Sequence, residues 1–218
     1  MRCGAILFDL DGVLVDSGPV VERTWRRWAA LRGLNVPDLV RRAHGRRSIE
    51  TVRDVAPHLD ADEEVRWLAD AELSDLDGVG ALPGASSLLA TLRDGEWAVV
   101  TSGGSELARR RLSHTGLPMP RILVAAEDIP VGKPAPDGYL LAARQLAREP
   151  SDCVVIEDTP AGIQAGRAAG AYVVALTTTF PKVLLTGADA VISTLARLRI
   201  HRAERGLLLL IDQGIRSE

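Results

Sequence analysis

The stretch AILFDLDGVLVDS, residues 5–17, decides the fold of this chain. Its first four residues are apolar, which is typical of a buried strand, and they lead directly into Asp9, Asp11 and Asp16. Gly12 stands among the aspartates and permits a sharp turn after the strand. Carboxylates that are crowded at a strand end repel one another unless a cation compensates their charge. The stretch therefore predicts a buried strand that ends at a cation-dependent site.

The composition is typical of a soluble globular protein. The 218 residues, 46% hydrophobic and 25% charged, suffice for one α/β core with a small inserted domain. A formal net charge of −3 gives no reason to expect nucleic acid or a membrane surface as a partner. The apolar run before Asp9 is too short for a secretory signal, and no run is long enough to span a membrane. We therefore expect a cytoplasmic protein that is a monomer, with a dimer left open.

Cysteine and lysine are both used sparingly. Cys3 and Cys153 begin strand-like apolar runs, so we expect buried thiols rather than a disulfide. Among the 26 basic residues only Lys133 and Lys182 are lysine. A chain that otherwise uses arginine is expected to need a compact ammonium, not a planar guanidinium, at position 133.

Helical periodicity predicts that residues 17–81 form an all-helical block with no strand of its own. The first helix carries an apolar stripe with two tryptophans, which we interpret as core-packing, and is expected to end at Gly33 and Pro37. Ser48 is the predicted N-cap of the second helix. A third helix is expected over residues 61–76, and a linker follows it.

The rest of the chain alternates short apolar runs with helical segments. This pattern predicts an α/β fold with a doubly wound parallel sheet that is buried on both faces. The predicted units are a core of residues 1–16 and 82–200, a helical cap of residues 17–81 and a C-terminal tail of unassigned role, residues 201–218. The predicted core strands are 4–9, 97–100, 121–125, 153–157 and 172–176, and the helices between them are 105–115 (capped by Ser105), 137–148 and 161–169.

Polar residues of chemically useful types follow the core strands. They are Asp9, Asp11, Thr101, Ser102, Gly103, Gly104, Lys133, Glu157 and Asp158. In a parallel sheet the carboxyl ends of the strands meet at one edge, where the active site lies. Two acidic pairs, a hydroxyl–glycine turn and the rare lysine at one edge together indicate phosphoryl transfer.

Each of these groups suits part of that chemistry. Asp9 and Asp11 are two residues apart, so in extended backbone their side chains project the same way. Asp158, from a different strand, can complete an oxygen cage for Mg²⁺. The turn from Thr101 through Ser102 and Gly103 can offer a hydroxyl and backbone N–H groups to phosphate oxygens. Lys133 then balances the charge of the anion.

Other site classes do not fit the sequence. No glutamate stands at the EF-hand spacing, and the GxxxxGK[ST] pattern of a P-loop does not occur. No Ser–His or Cys–His pair has a recognisable setting, and histidine and cysteine are too few for a zinc cluster.

Four segments resemble the four motifs of the haloacid dehalogenase superfamily, in matching order and spacing. They are DLDGVLVDS (9–17), Thr101 after an apolar strand, GKPAPD (132–137) and VIEDTPAGIQAG (155–166). The block between the first two motifs resembles the small α-helical, C1-type cap of that family.

The resemblance implies a role for each motif residue. Asp9 is implied to be the nucleophile and a metal ligand. Asp11 is implied to be the general acid/base, and its backbone carbonyl is a second ligand of Mg²⁺. The implied phosphate-binding residues are Thr101 and Lys133, and the residues implied to hold the metal from a second strand are Asp158 and Glu157.

Single residues separate the branches of the superfamily. Dehalogenases lack the second aspartate that Asp11 supplies, and phosphonate hydrolases use a cap lysine, whereas residues 16–80 contain none. β-Phosphoglucomutases also have a cap lysine, and they carry a histidine where this chain has Val21. The sequence therefore favours a phosphatase over these other branches. A phosphosugar mutase and a catalytically silent binding protein of this fold remain the alternatives.

The cap narrows the resemblance further. HGRRSIETVRDVAPHLD (44–60) and TTTF (177–180) resemble the 2-deoxyglucose-6-phosphate and glycerol-3-phosphate phosphatase group. This implies a small-molecule phosphate ester as partner, a phosphosugar or polyol phosphate, hydrolysed with Mg²⁺ through an aspartyl-phosphate. The candidate specificity residues of the cap are His44, Gly45, Arg46 and Arg47, with Arg47 expected to bind substrate hydroxyls. A packed or capping histidine and a solvated arginine pair are the alternatives left open.

Overall fold

The computed structural model describes residues 1–36, 38–203 and 206–212. The strands are β1 Arg2–Cys3, β2 Ala5–Phe8, β3 Val15–Asp16, β4 Gly80–Ala81, β5 Trp97–Val100, β6 Leu123–Val124, β7 Cys153–Glu157, β8 Tyr172–Leu176, β9 Ala190–Ile192, β10 Leu198–Arg202 and β11 Leu207–Ile211. The helices are α1 Gly18–Leu31, α2 Leu39–Ala43, α3 Ser48–Val55, α4 Ala61–Ser74, α5 Ala85–Leu89, α6 Ser105–His114, α7 Asp137–Gln145 and α8 Pro160–Ala168.

A six-stranded parallel sheet is the centre of the fold, with strand order β6–β5–β2–β7–β8–β9. Strands β2, β5 and β7 consist entirely of buried residues, because helices cover both faces of a doubly wound sheet. The predicted α/β class is confirmed. The three central strands end at the same edge, which places the residues that follow β2, β5 and β7 side by side.

A short antiparallel pair of strands joins the sheet to the helical segment, which lies between Asp16 and Gly80. In this pair β3 and β4 align Val15 with Ala81 and Asp16 with Gly80. The prediction that residues 17–81 contain no strand is therefore wrong at Gly80–Ala81. Strands of two residues are too short to show the alternation that distinguishes a strand from a linker.

The starts of two helices also differ from the prediction. The N-cap of α3 is Arg47 and that of α6 is Gly104, so Ser48 and Ser105 are the first helical residues rather than the caps. Neither cap residue accepts a backbone N–H of its helix with a side-chain atom. A serine near a helix start therefore located these helices to within one residue but did not cap them.

The helices between β3 and β4 pack around two tryptophans. The rings of Trp25 and Trp28 lie edge to face with centroids 5.4 Å apart, and both are buried. Trp28 Nε1 donates to Glu64 Oε2 at 2.6 Å, which satisfies its polar atom. The interpretation of the tryptophans as core residues is confirmed. Helix α1 ends two residues before Gly33, and Pro37 lies outside the described residues.

The C-terminal segment completes a second sheet. Strand β11 lies between β1 and β10 and pairs antiparallel with both, and its residues Leu207 and Leu209 are buried. The predicted core boundary at residue 200 falls inside β10, so the strand continues into the predicted tail. Residues 213–218 of that tail lie outside the described residues.

Two predictions about the whole chain can also be compared with the fold. Cys3 and Cys153 are buried, unbonded thiols, as expected. Within the described residues no helix is long and apolar enough to cross a membrane.

Candidate active site

The rare lysine lies at the centre of the sheet edge. Lys133 Nζ donates to Asp9 Oδ1 at 2.7 Å, to Glu157 Oε1 at 2.7 Å and to the carbonyl of Val100 at 3.2 Å. An ammonium group has three N–H donors, and each of them has an acceptor here. All three side chains are buried, so the charges compensate one another inside the protein.

Glu157 is held by a dense set of hydrogen bonds. Its Oε1 also accepts from the Tyr139 hydroxyl at 2.9 Å. Its Oε2 accepts from the backbone N–H groups of Asp158 and Thr159 at 2.8 and 3.0 Å, and from the Thr159 hydroxyl at 3.0 Å. Both oxygens are therefore occupied, and the carboxylate fixes the position of the Lys133 ammonium.

A glycine in α8 makes room for this carboxylate. A Cβ at Gly162 would overlap the carboxyl group of Glu157, because the helix backbone passes directly against it. The backbone N–H of Gly162 donates to the Thr159 hydroxyl at 3.1 Å, which caps the helix. The glycine is thus required by close approach rather than by backbone conformation.

Asp158, unlike Glu157, is poorly hydrogen-bonded. Both of its carboxylate oxygens are buried, and neither has a hydrogen-bond partner of good geometry among the described residues, although the nearby Thr179 hydroxyl lowers the pKa of Asp158 somewhat. One oxygen from each of Asp9, Glu157 and Asp158 lies within 4.8 Å of the others. Unpartnered buried carboxylate oxygens in an all-oxygen donor set fit a hard divalent cation such as Mg²⁺.

The pKa values reflect this crowding of carboxylates. Burial raises the pKa of Asp9 to about 7, assisted by Glu157 and Asp11 and opposed by Lys133. Burial also raises the pKa of Asp158 well above its usual range, and the charges of Glu157 and Asp9 add to the effect. Burial lowers the pKa of Lys133, but the carboxylates of Asp9 and Glu157 outweigh it and raise that pKa. The edge therefore has a deficit of positive charge at Asp158.

Asp11 lies at the boundary between the sheet and the helical segment. Its Oδ1 accepts from the Ser17 hydroxyl at 2.7 Å and from Arg111 Nη1 at 2.8 Å. The turn that carries it depends on Gly12, which has a φ of 80° and whose Cβ would collide with Asp158. The structure thus brings Asp11 to the same edge as Asp9.

Some polar groups of the turn after β5 already make hydrogen bonds within the protein. Thr101 is buried, and its hydroxyl oxygen accepts from the backbone N–H of Gly103 at 3.1 Å. The Ser102 hydroxyl donates to the carbonyl of Gly45 at 2.9 Å. Thr101, Ser102 and Gly103 line the cavity described below, but the Ser102 hydroxyl and the Gly103 N–H already have protein acceptors.

The cap residues His44 and Gly45 close over that turn. The His44 ring packs edge to face on Phe180 with centroids 6.4 Å apart, and burial lowers its pKa. Gly45 has a φ of 75°, and a Cβ there would approach the Thr159 hydroxyl to 2.5 Å. This geometry agrees with the packing interpretation of the histidine.

Arg46 and Arg47 behave differently from each other. Arg46 makes a long ion pair of 3.6 Å with Asp54 and is one-third exposed. Arg47 Nε donates to Glu50 Oε1 at 2.8 Å. Its terminal nitrogens donate to the backbone carbonyls of a core loop, and these are Ala126 at 3.4 Å, Ile129 at 3.1 Å and Pro130 at 3.0 Å. Every nitrogen of Arg47 is therefore occupied, which favours docking of the cap over substrate binding.

Glu50 extends the contact of Arg47 toward the loop that carries Lys133. Its Oε1 also accepts from the backbone N–H of Gly132 at 3.1 Å, one residue before Lys133. A Cβ at Gly132 would approach both Arg47 and Glu50 to within 3 Å, so the cap lies directly on this loop.

A cavity of about 910 Å³ lies between the sheet edge and the helical segment. Asp9, Asp11, Thr101 and Asp158 line it from the sheet side. Its volume is that of a site for a small organic molecule, and it gives the buried carboxylates a route to a substrate.

Sequence reasoning missed several residues of this site. They are Ser17, Glu50, Glu72, Arg111, Tyr139, Thr159 and Gly162. Tyr139 and Arg111 follow ordinary helical spacing and carry no signal of their own. Glu72 did carry a signal, because it is a charged residue at an apolar position of the α4 stripe, four residues after Leu68.

The fold and this edge define a hydrolase of the haloacid dehalogenase type. Residues 3–170 match the sequence profile of the haloacid dehalogenase-like hydrolases, and the chain belongs to this family. The predicted superfamily is therefore confirmed.

The relatives of the chain are named as phosphatases. Hexitol phosphatase A of Escherichia coli (strain K12) is 41% identical over 94% of this chain and 98% of its own length. The 2-deoxyglucose-6-phosphate phosphatase 2 of Saccharomyces cerevisiae is 32% identical over 96% and 95% of the two chains. A hydrolase from Pseudomonas syringae has a similar structure, with a TM-score of 0.79 and 27% identity over 88% of this chain and 94% of its own. The predicted resemblance to this phosphatase group is confirmed.

Proposed function

We propose that this protein is a Mg²⁺-dependent phosphatase that hydrolyses a small phosphosugar or polyol phosphate. The observation that carries the proposal is the arrangement of Asp9, Lys133 and Asp158, which combines a carboxylate, a fixed ammonium and two unpartnered carboxylate oxygens at one sheet edge. The names of the relatives supply the substrate class, a hexitol phosphate and a deoxysugar phosphate.

The reaction proceeds in two steps on the chain's own residues. An Asp9 carboxylate oxygen attacks phosphorus and forms an aspartyl-phosphate, while the bond from phosphorus to the ester oxygen breaks. Asp11 gives its proton to that leaving oxygen. Asp11 then takes a proton from water, which attacks phosphorus and releases phosphate, restoring Asp9. Lys133 balances the charge of the phosphoryl group throughout.

The proposed metal ligands are Asp9, Asp158 and the backbone carbonyl of Asp11. A bound Mg²⁺ supplies positive charge that offsets the crowded carboxylates and the phosphate oxygens. Glu157 belongs to the same cluster, but its oxygens already accept five hydrogen bonds. We therefore assign Glu157 to positioning Lys133 rather than to direct metal binding.

The test is phosphate release from sugar, polyol and nucleotide monophosphates, in metal-free buffer and with Mg²⁺ restored. Activity is expected to vanish with EDTA and to return with Mg²⁺, and Asp158→Asn is expected to weaken Mg²⁺ far more than substrate. Asp9→Asn should abolish single-turnover and steady-state release alike. Full turnover in metal-free buffer would contradict the metal assignment, and an active Asp9→Asn variant would contradict the nucleophile.

The mutase alternative makes a different prediction for the products. Val21 lines the cavity at the position where the mutases carry a histidine. A phosphatase releases free phosphate in proportion to the ester consumed, whereas a mutase returns an isomeric sugar phosphate. Quantifying both products from one phosphosugar distinguishes the two functions.

A further inference from the structure

The Arg111 guanidinium joins the acid/base residue to the helical cap. Its Nη1 donates to Asp11 Oδ1 at 2.8 Å, and its Nη2 donates to Glu72 Oε2 at 2.6 Å. Arg111 belongs to α6 of the core and Glu72 to α4 of the cap, so one side chain connects the two. The side chain of Arg111 is 3% exposed and that of Glu72 is 9% exposed, so this ion pair is shielded from water, whereas Asp11 is 28% exposed toward the cavity.

Glu72 interrupts an apolar wall of the cavity. Its neighbours in that wall include Trp25, Val65, Leu68 and Leu73. Arg111 contacts one of its two oxygens, and no hydrogen bond to the other, Oε1, occurs within residues 1–36, 38–203 and 206–212. The Arg111 Nε is likewise buried without a partner in that part of the chain.

Stability alone does not explain this pair. The desolvation of two buried charges offsets much of their attraction, so an apolar pair of the same volume is often as stable. Burial raises the pKa of Glu72 and Asp11 adds to the rise, while Arg111 opposes both and holds the carboxylate in place. A carboxylate that keeps a vacant acceptor next to a substrate cavity is instead suited to bind a hydroxyl.

The charges around the cavity point the same way. Its acidic side chains other than Asp9, Asp11 and Asp158 are Asp16, Glu22, Glu72, Glu106 and Glu127. The arginines that line it are Arg46, Arg47 and Arg111. Arg47 and Arg111 already donate to carboxylates of the protein. The lining of the cavity therefore has an excess of negative charge, which repels a second anionic group on the substrate.

We propose that Glu72 is a specificity-determining residue that accepts a hydrogen bond from a hydroxyl of the leaving group and rejects leaving groups with an anion at that point. Arg111 is the positioning residue, because its guanidinium binds both Glu72 and Asp11. Asp11 in turn protonates the ester oxygen. The recognised hydroxyl therefore lies within a few bonds of the ester. This inference rests on the proposed phosphatase function and narrows its substrate class to esters of neutral polyhydroxy alcohols.

The experiment compares two esters of the same length. Glycerol 3-phosphate and 3-phosphoglycerate differ in a terminal hydroxymethyl group against a carboxylate. The unaltered protein is expected to prefer glycerol 3-phosphate in kcat/KM. Glu72→Gln keeps the shape and an acceptor for Arg111 but removes the charge, so this preference should fall about tenfold or more. Glu63→Gln, the same charge change at an exposed position of α4, should leave the ratio unchanged.

A second pair of substrates tests how far from the ester the recognised hydroxyl lies. Sorbitol 6-phosphate and 6-phosphogluconate carry the same difference three carbons further from the ester, so Glu72→Gln should alter their ratio much less. The rate on p-nitrophenyl phosphate, which has no hydroxyl, is the reference for any general effect of the variant on Asp11 through Arg111, and each rate is divided by it. A folded, active Glu72→Gln protein with an unchanged ratio for the three-carbon pair overturns the inference. If the unaltered protein hydrolyses no ester at all, the proposed function falls instead.

A second variant covers a failure of Glu72→Gln to fold. Glu72→Asp keeps the charge but shortens the side chain, so it should still reject 3-phosphoglycerate while losing the hydroxyl contact. Its kcat/KM for glycerol 3-phosphate should fall by a larger factor than its kcat/KM for p-nitrophenyl phosphate. A parallel fall on both substrates would assign Glu72 to the packing of the cap and overturn its role in specificity.

Discussion

The ammonium of Lys133 lies 2.7 Å from the Asp9 carboxylate, and both groups are buried at the end of the central strand. This distance makes Lys133 the counter-charge of Asp9, the proposed nucleophile. Because its other two N–H groups bind Glu157 and a backbone carbonyl, the ammonium cannot turn away from Asp9 without losing hydrogen bonds.

Lys133→Arg should therefore abolish most of the activity although the charge is kept. A planar guanidinium cannot reach three acceptors that surround a single nitrogen, and its bulk has no space between two buried carboxylates. We expect kcat on p-nitrophenyl phosphate to fall at least about 100-fold, the usual cost of losing a charge-stabilising donor. Lys182→Arg changes the only other lysine, which is exposed, and should have no effect. Nearly full activity in Lys133→Arg would show that the compact ammonium is not required.

Gly162→Ala tests whether Glu157 positions that lysine. The added methyl group would overlap the Glu157 carboxyl group, which must then release the hydrogen bonds from Lys133 and Tyr139. We expect a loss of stability on the order of 1–3 kcal/mol, as for other overpacked sites, together with a fall in kcat. Thermal unfolding and steady-state kinetics measure the two effects.

The matched control for that variant is Gly80→Ala, where an added Cβ meets no atom of the described residues within 4 Å apart from its chain neighbours. It should unfold at nearly the same temperature as the unaltered protein. Equal stability and activity of Gly162→Ala would mean that the carboxylate of Glu157 can relocate without consequence.

The sheet was predictable because its strands are buried on both faces. Strands such as β7 and β8 are then continuous apolar runs that end abruptly in polar residues, and the ends meet at one edge whatever the details of packing. Asp9, Lys133 and Asp158 could be assigned for that reason. The ion pairs of Arg111 with Asp11 and with Glu72 could not, because these partners lie 100 and 39 residues away along the chain and only the tertiary fold brings them together. Local sequence patterns contain no information on such contacts.

The two thiols should be unreactive in the folded protein. Burial, with the Asp152 charge adding to it, raises the pKa of both Cys3 and Cys153 to about 11. At pH 8 both are therefore protonated as well as inaccessible, and a thiol reagent such as DTNB should label neither until denaturant is added. Labelling of two thiols in denaturant is the positive control. Rapid labelling of the native protein would contradict the burial of β1 and β7.

Arg47→Ala distinguishes cap docking from substrate recognition. The sequence favoured a role in binding substrate hydroxyls, but the guanidinium donates to Glu50 and to carbonyls of the core loop before Lys133. If it docks the cap on that loop, its loss loosens the closed site for every substrate alike. We expect kcat/KM to fall at least about tenfold, the equivalent of one charged hydrogen bond, for glycerol 3-phosphate and for p-nitrophenyl phosphate in parallel. Arg46→Ala removes the neighbouring arginine, whose long ion pair with Asp54 lies within the cap, and should change both rates little. A loss in Arg47→Ala that is confined to glycerol 3-phosphate would restore the specificity role.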